Sequence, residues 1–189
     1  TVQTMGHYKM DLREINVHYI ACAAHKFHGP KGVGFLYMNA QHKLNPFIHG
    51  GAQERNMRGG TENLYGIIGL AKALEICNDE MEAHQKQIMA LKDNMRESVM
   101  KAIPGTTVNG ETGHDKSLYT VLNLCFPKHS DAEMLLFNLD IAGIAASGGS
   151  GADMERPSVR FSFSKYTTKE ELDAVVQKLT ELFALKTPA

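Results

Sequence analysis

No apolar run in this sequence approaches the roughly 20 residues that a membrane-spanning helix needs. Nor does a charged-then-apolar leader open it. Charge of one sign is also scarce: 20 Lys and Arg stand against 21 Asp and Glu, for a formal net charge of −1. A nucleic-acid or membrane-surface partner calls for a basic excess, so neither is expected. Cysteine is sparse, with Cys22, Cys77 and Cys125 far apart and no Cys-x-x-Cys pair. An odd number at that spacing argues against a disulfide framework. Each lies among apolar neighbours, as in Ile20-Ala21-Cys22 and Leu124-Cys125-Phe126, which reads as a reduced, buried thiol in a cytosolic protein. Internal repeats and low-complexity linkers are missing too.

What is present suffices for a real core: 189 residues, 43% of them apolar. Residues 17–23 and 33–38 are short runs of β-branched, aromatic and small apolar residues, predicted as strands. From Thr61 to about Ile103 the period becomes helical. Ile67, Leu70, Leu74 and Cys77 form one stripe; Ile88, Leu91, Met95 and Val99 continue it after Asn78-Asp79. Two helices or one long bent helix would satisfy this pattern, and Pro104-Gly105 ends it. Strands are then expected at 118–126, 144–146 and 158–163. Two capping-box sequences, Ser130-Asp131-Ala132-Glu133 and Thr168-Lys169-Glu170-Glu171, open helices to about Ala142 and through Leu182. Strands interleaved with helices over residues 105–189 predict an α/β (α+β) domain with helices packed on a sheet. The organisation read from the chain is residues 1–62, connecting helices at 63–104, and a small C-terminal domain at 105–189.

The strongest local feature is Ala24-His25-Lys26-x-x-Gly29-Pro30-Lys31-Gly32-x-Gly34. Lysine is costly to desolvate, so one at the end of a buried strand is oddly placed unless its amine has chemical work. A surface turn carrying Lys26 and Lys31 is the bland alternative. Gly-Pro-Lys-Gly is not a nucleotide P-loop, since no GxxxxGK[ST] occurs.

This segment resembles the lysine signature of class V aminotransferases, and of cysteine desulfurases in particular. Two further blocks extend the likeness in family order. They are His49-Gly50-Gly51-x-Gln53-Glu54-Arg55-x-x-Arg58-x-Gly60-Thr61 and Ser158-Val159-Arg160-Phe161-Ser162. The resemblance implies a fold type I enzyme dependent on pyridoxal 5′-phosphate (PLP), with this chain matching its C-terminal half: the end of the PLP-binding sheet plus the small domain. It implies that Lys26 carries the cofactor covalently and shuttles protons at the substrate Cα. His25 would lie by the phosphate, and Gln3 would bond the phenolic oxygen. Thr61, at a helix N-terminus, would reach the phosphate in the other subunit, and Arg160 would grip the substrate carboxylate. The bland alternatives are a plain N-cap at Thr61, a structural salt bridge at Arg160 and a strand-end histidine at His25.

The implied reaction takes sulfur from L-cysteine as an enzyme persulfide and leaves L-alanine. Implied with it are a cytoplasmic homodimer and a sulfur-acceptor or iron–sulfur scaffold protein as partner. Three departures qualify this. The family aspartate that pairs with the pyridine nitrogen would precede Thr1. Ala23 replaces the serine two residues before the histidine. Ser147-Gly148-Gly149-Ser150 leads directly to Gly151-Ala152-Asp153, where the family inserts about twenty residues bearing the sulfur-accepting cysteine. Another class V activity, a selenocysteine lyase or an aminotransferase, and a catalytically silent assembly or dimerisation module are the alternatives.

Overall fold

The computed structural model describes residues 1–111, 113, 116–129, 132–149 and 156–184. The expected capping box at Ser130-Asp131 and the expected junction at Ser150-Gly151 lie outside the described residues. The chain forms two compact units, Thr1–Glu82 and Ala83–Ala189, and the division falls inside one helix.

In the first unit, strand β1 (Tyr19–Ala23) pairs antiparallel with β2 (Gly34–Met38), in register from Tyr19↔Met38 to Ala23↔Gly34. A side chain at position 34 would not fit, because a Cβ there would lie 2.2 Å from the Cys22 carbonyl oxygen. A short left-handed turn, α1 (Gln53–Asn56), follows, and then the long helix α2 (Leu64–Ala102). Leu70, Ala73, Leu74 and Cys77 recur at helix spacing and meet Cys22, Ala24 and Phe27 in the core of this unit. Ile67, predicted on that stripe, is 41% exposed. Asn78-Asp79 does not interrupt α2, so the long apolar pattern is one continuous helix.

The second unit carries a four-stranded antiparallel sheet in the order β3 (Thr107–Val108), β4 (Val121–Cys125), β6 (Ser158–Ser162), β5 (Ser147–Gly148). Leu122 and Leu124 of β4 and Val159 and Phe161 of β6 alternate into the core. Helix α3 (Leu135–Ile141) buries Leu135 and Leu139, and α4 (Lys169–Ala184) buries Leu172, Val175 and Leu179. At the sheet end Phe126 stacks on Phe183 of α4, ring centroids 5.1 Å apart. The second capping box closes reciprocally. The Thr168 N–H donates to Glu171 Oε2 at 2.9 Å, and the Glu171 N–H donates to Thr168 Oγ1 at 3.2 Å. The strand expected at 144–146 lies instead at Ser147–Gly148, where the backbone can pair with Arg160 and Val159 of β6.

One core position departs from the sequence reading. On α2 the buried stripe of this unit is Ile88, Lys92, Met95 and Val99; Leu91 is only half-buried. Lys92 is 4% exposed, and its ammonium donates to Ser117 Oγ at 3.1 Å and to the Leu118 carbonyl at 2.8 Å. Burial pushes its pKa below the ordinary lysine value. The unfolded chain therefore holds this proton more tightly, so stability falls as pH drops through the folded pKa and is fully regained above the unfolded one. Urea midpoints should thus rise across the alkaline range. In Lys92→Met that rise should be shallower, and equal slopes in both proteins would refute the assignment.

Candidate functional site

After β1 the chain makes a 3-10 turn, Ala24–Phe27. With three residues per turn, positions i and i+3 fall on one side. Ala24 and Phe27 are accordingly 0% exposed, while His25 and Lys26 face outward. The Gly29 N–H closes on the Ala24 carbonyl at 2.9 Å, the Ala24 N–H bonds the Val33 carbonyl at 3.0 Å, and His28 ends the turn in the left-handed region at φ 65°. The lysine is thus not sunk at the end of a buried strand. It is an exposed amine on a turn pinned from beneath by two buried neighbours.

Gln3 belongs to the same unit, on an exposed position of the opening turns. Thr1 Oγ1 donates to the Ala21 carbonyl of β1 at 3.1 Å, and Gly6 lies so close to Phe27 that a Cβ there would sit 2.9 Å from Phe27 Cβ. The segment bearing Gln3 is therefore tied both to β1 and to the lysine turn.

Thr61 is also in this unit and exposed, but it is not the helix cap. Asn63 caps α2: its Oδ1 accepts the Gly66 N–H at 3.1 Å, and its carbonyl accepts the Ile67 N–H at 2.9 Å. Thr61 stands two residues upstream, directly after Gly60, whose φ is +105°. The Asn63-x-x-Gly66 spacing is the signal that could have identified the cap from sequence.

Arg160 belongs to the second unit. Strand alternation turns Val159, Phe161 and Phe163 into the core and leaves Arg160 on the exposed face, so the apolar strand imposes no desolvation cost on its charge. Directly across from it are Asn123 on β4 and Ser147 on β5. Residues opposed in this way share a face, so the three form a polar row. Among the described residues the Arg160 guanidinium meets no hydrogen-bond or ion-pair partner, while its backbone pairs with both neighbouring strands. The sequence reading missed Asn123, which lay unmarked within a predicted strand.

Cys22, Cys77 and Cys125 stand outside any disulfide, and all three are buried. Burial pushes the Cys22 thiol up, and Cys77 Sγ donates to the Phe27 carbonyl at 3.5 Å. A thiol kept protonated and out of solvent is a poor nucleophile.

The fold and its exposed lysine turn define an α/β chain similar, over 98% of its length, to a solved structure described as a NifS-like protein. The TM-score is 0.87 at 33% identity, and 52% of that chain is covered. The chain belongs to the class-V aminotransferase family, whose model matches residues 1–175. It is 35% identical over 199 residues to the cysteine desulfurase IscS of Dictyoglomus turgidum, covering 96% of this chain and 50% of that protein. It is likewise 35% identical over 201 residues to the cysteine desulfurase NifS of Azotobacter vinelandii, covering 97% and 49%. The chain thus spans about half the length of the curated relatives it matches. The Dictyoglomus alignment contains more positions than this chain supplies residues, so part of that protein's matched segment faces gaps here.

Proposed function

We propose that this chain is part of a PLP-dependent cysteine desulfurase, with Lys26 as the residue that carries the cofactor. The observation that supports this most is the amine of Lys26 exposed on a turn whose flanking side chains, Ala24 and Phe27, are fully buried. Pyridoxal phosphate requires an accessible amine for its aldehyde and polar donors for its phosphate and ring oxygen. The exposed Lys26, His25, Thr61 and Gln3 of the first unit are of that chemical kind, so the residues present fit the group. When bound, it supplies an electron sink that eases loss of a substituent at an amino-acid Cα.

The chain's own residues then have separable tasks. Lys26 holds the cofactor and moves a proton at the substrate Cα. His25 and Thr61 bind the phosphate, Thr61 in the site of the other copy of a homodimer, and Gln3 bonds the ring oxygen. The guanidinium fork of Arg160 grips the α-carboxylate of L-cysteine. Sulfur would pass to an acceptor or iron–sulfur scaffold protein in the cytoplasm. Among the described residues no helix is long and apolar enough to cross a membrane. One observation favours a reading without a persulfide relay, as another class V enzyme or a catalytically silent assembly module: Cys22, Cys77 and Cys125 are all buried.

The test is to add PLP to the purified protein, reduce with borohydride and map the modified peptide. A pyridoxyl group on Lys26 is expected; a label elsewhere, or none, overturns the reading. Arg160→Ala should raise the KM for cysteine about tenfold or more while leaving the Kd for PLP within about twofold. Equal losses in both would make Arg160 a structural residue.

A further inference from the structure

We propose that Gln53 is a positioning residue that sets the backbone of Thr61, and through it the grip of this loop on an organic phosphate. The inference rests on the reading of Thr61 as a phosphate contact and adds to it a residue that acts through the Gly60 backbone.

The loop from His49 to Gly60 is closed at its neck. The Gly59 N–H donates to the Ile48 carbonyl at 2.9 Å. The Gly50 and Gly59 backbones touch, since a Cβ on Gly59 would lie 2.7 Å from the Gly50 nitrogen. Inside the loop the carboxamide of Gln53 lies across Gly51, where a Cβ would be 2.8 Å from Oε1 and 2.9 Å from Nε2. The same Oε1 accepts the Gly60 N–H at 3.2 Å.

Gly60 is the residue immediately before Thr61. With no Cβ and a φ of +105°, it is the point where the chain would turn most freely. The Gln53 bond removes that freedom. On the far side, Asn63 is anchored by its own cap to Gly66. Thr61 and Glu62 are therefore held between two amide side chains, neither of which need meet a ligand.

The backbone around Gln53 is unusual in a way that fits this task. Glu54, Arg55 and Asn56 follow one another in the left-handed region, at φ 47°, 56° and 64°. Consecutive non-glycine residues rarely adopt this conformation, and it persists only where surrounding contacts over-determine it. The closed neck and the Gln53–Gly60 bond are such contacts.

The experiment compares Gln53→Met, which keeps size but loses the acceptor, with Gln53→Glu, which keeps it. In the ligand-free protein, NMR should show Gly60 amide exchange about tenfold faster in Gln53→Met and near native in Gln53→Glu. Affinity for PLP should fall about tenfold in Gln53→Met, while affinity for pyridoxal, which lacks the phosphate, stays unchanged. Thr61→Ala should weaken PLP binding too, and the double variant should be no weaker than the weaker single one. Unchanged Gly60 exchange in Gln53→Met overturns the brace. Faster exchange with intact PLP affinity, beside a weakened Thr61→Ala, overturns the proposal and leaves the Thr61 reading standing. Full affinity in Thr61→Ala overturns both. Should Gln53→Met fail to fold, Gly51→Ala serves instead, because its methyl would displace the Gln53 carboxamide from Gly60.

Discussion

Lys26→Ala should abolish covalent attachment of PLP without measurable loss of fold. The side chain is exposed, and the turn beneath it is held by Ala24, by Phe27 and by backbone bonds to Val33 and Gly29. None of these involves the lysine amine. Removing an exposed side chain away from caps and cores usually changes stability by within about 0.5 kcal/mol. The 3-10 turn Ala24–Phe27 carries no other amine, and the exposed Lys31 beyond it is told apart by mapping the adduct to the residue. The expected result is complete loss of borohydride-trapped pyridoxyl at residue 26, with an unchanged far-UV spectrum and melting temperature. A cofactor adduct that forms in full at Lys31 or elsewhere in Lys26→Ala would sink the assignment. Loss of fold together with loss of the adduct would show that Lys26 supports the turn rather than the chemistry.

Phe27→Ala should have the opposite profile, one residue along. Phe27 is 0% exposed. Its ring lies in the cluster with Cys22, Ala24 and Cys77, its Cβ backs the Gly6 segment, and its carbonyl accepts the Cys77 thiol. Truncating a buried phenylalanine costs about 3–5 kcal/mol, a large part of the 5–15 kcal/mol that typically holds a domain together. The first unit should therefore unfold at a clearly lower urea concentration, and cofactor trapping should fail with it because the turn loses its floor. A shift below about 1 kcal/mol would mean that the cluster collapses to fill the space, and that Phe27 does not anchor the lysine. The contrast between neighbours follows from the three-residue period of the turn, which points one side chain at solvent and the next into the core.

How much of this was legible beforehand varies with how local the cause is. Strands β1, β2, β4 and β6 lie within the predicted runs, and α4 begins where its capping box placed it. Helix α2 followed from its period, although Thr61 is not its cap and Ile67 is not on its buried face. Strand β3 escaped notice because two residues carry no readable period, and β5 was misplaced because its position is decided by pairing with β6. Arg160 is a partial failure. The alternation of Val159, Phe161 and Phe163 already assigns it to the opposite face, whereas reading the apolar strand as one block buries it.

By itself, the sequence determined the lysine turn and most of the regular elements, because residue spacing along the chain carries those signals directly. His25-Lys26 ahead of Gly29-Pro30-Lys31-Gly32, the apolar stripes of α2 and the reciprocal cap of α4 all act over a few residues. Tertiary structure alone decided where the exceptions go. Lys92 sits in an apolar stripe because Ser117 and Leu118, 25 and 26 residues away, accept hydrogen bonds from its ammonium. Gln53 matters because a closed loop returns Gly60 to its carboxamide. Arg160 gains Asn123 and Ser147 as neighbours because three strands align in register. These pairings join residues far apart in the chain, and the satisfaction of each polar group depends on the partner that folding delivers.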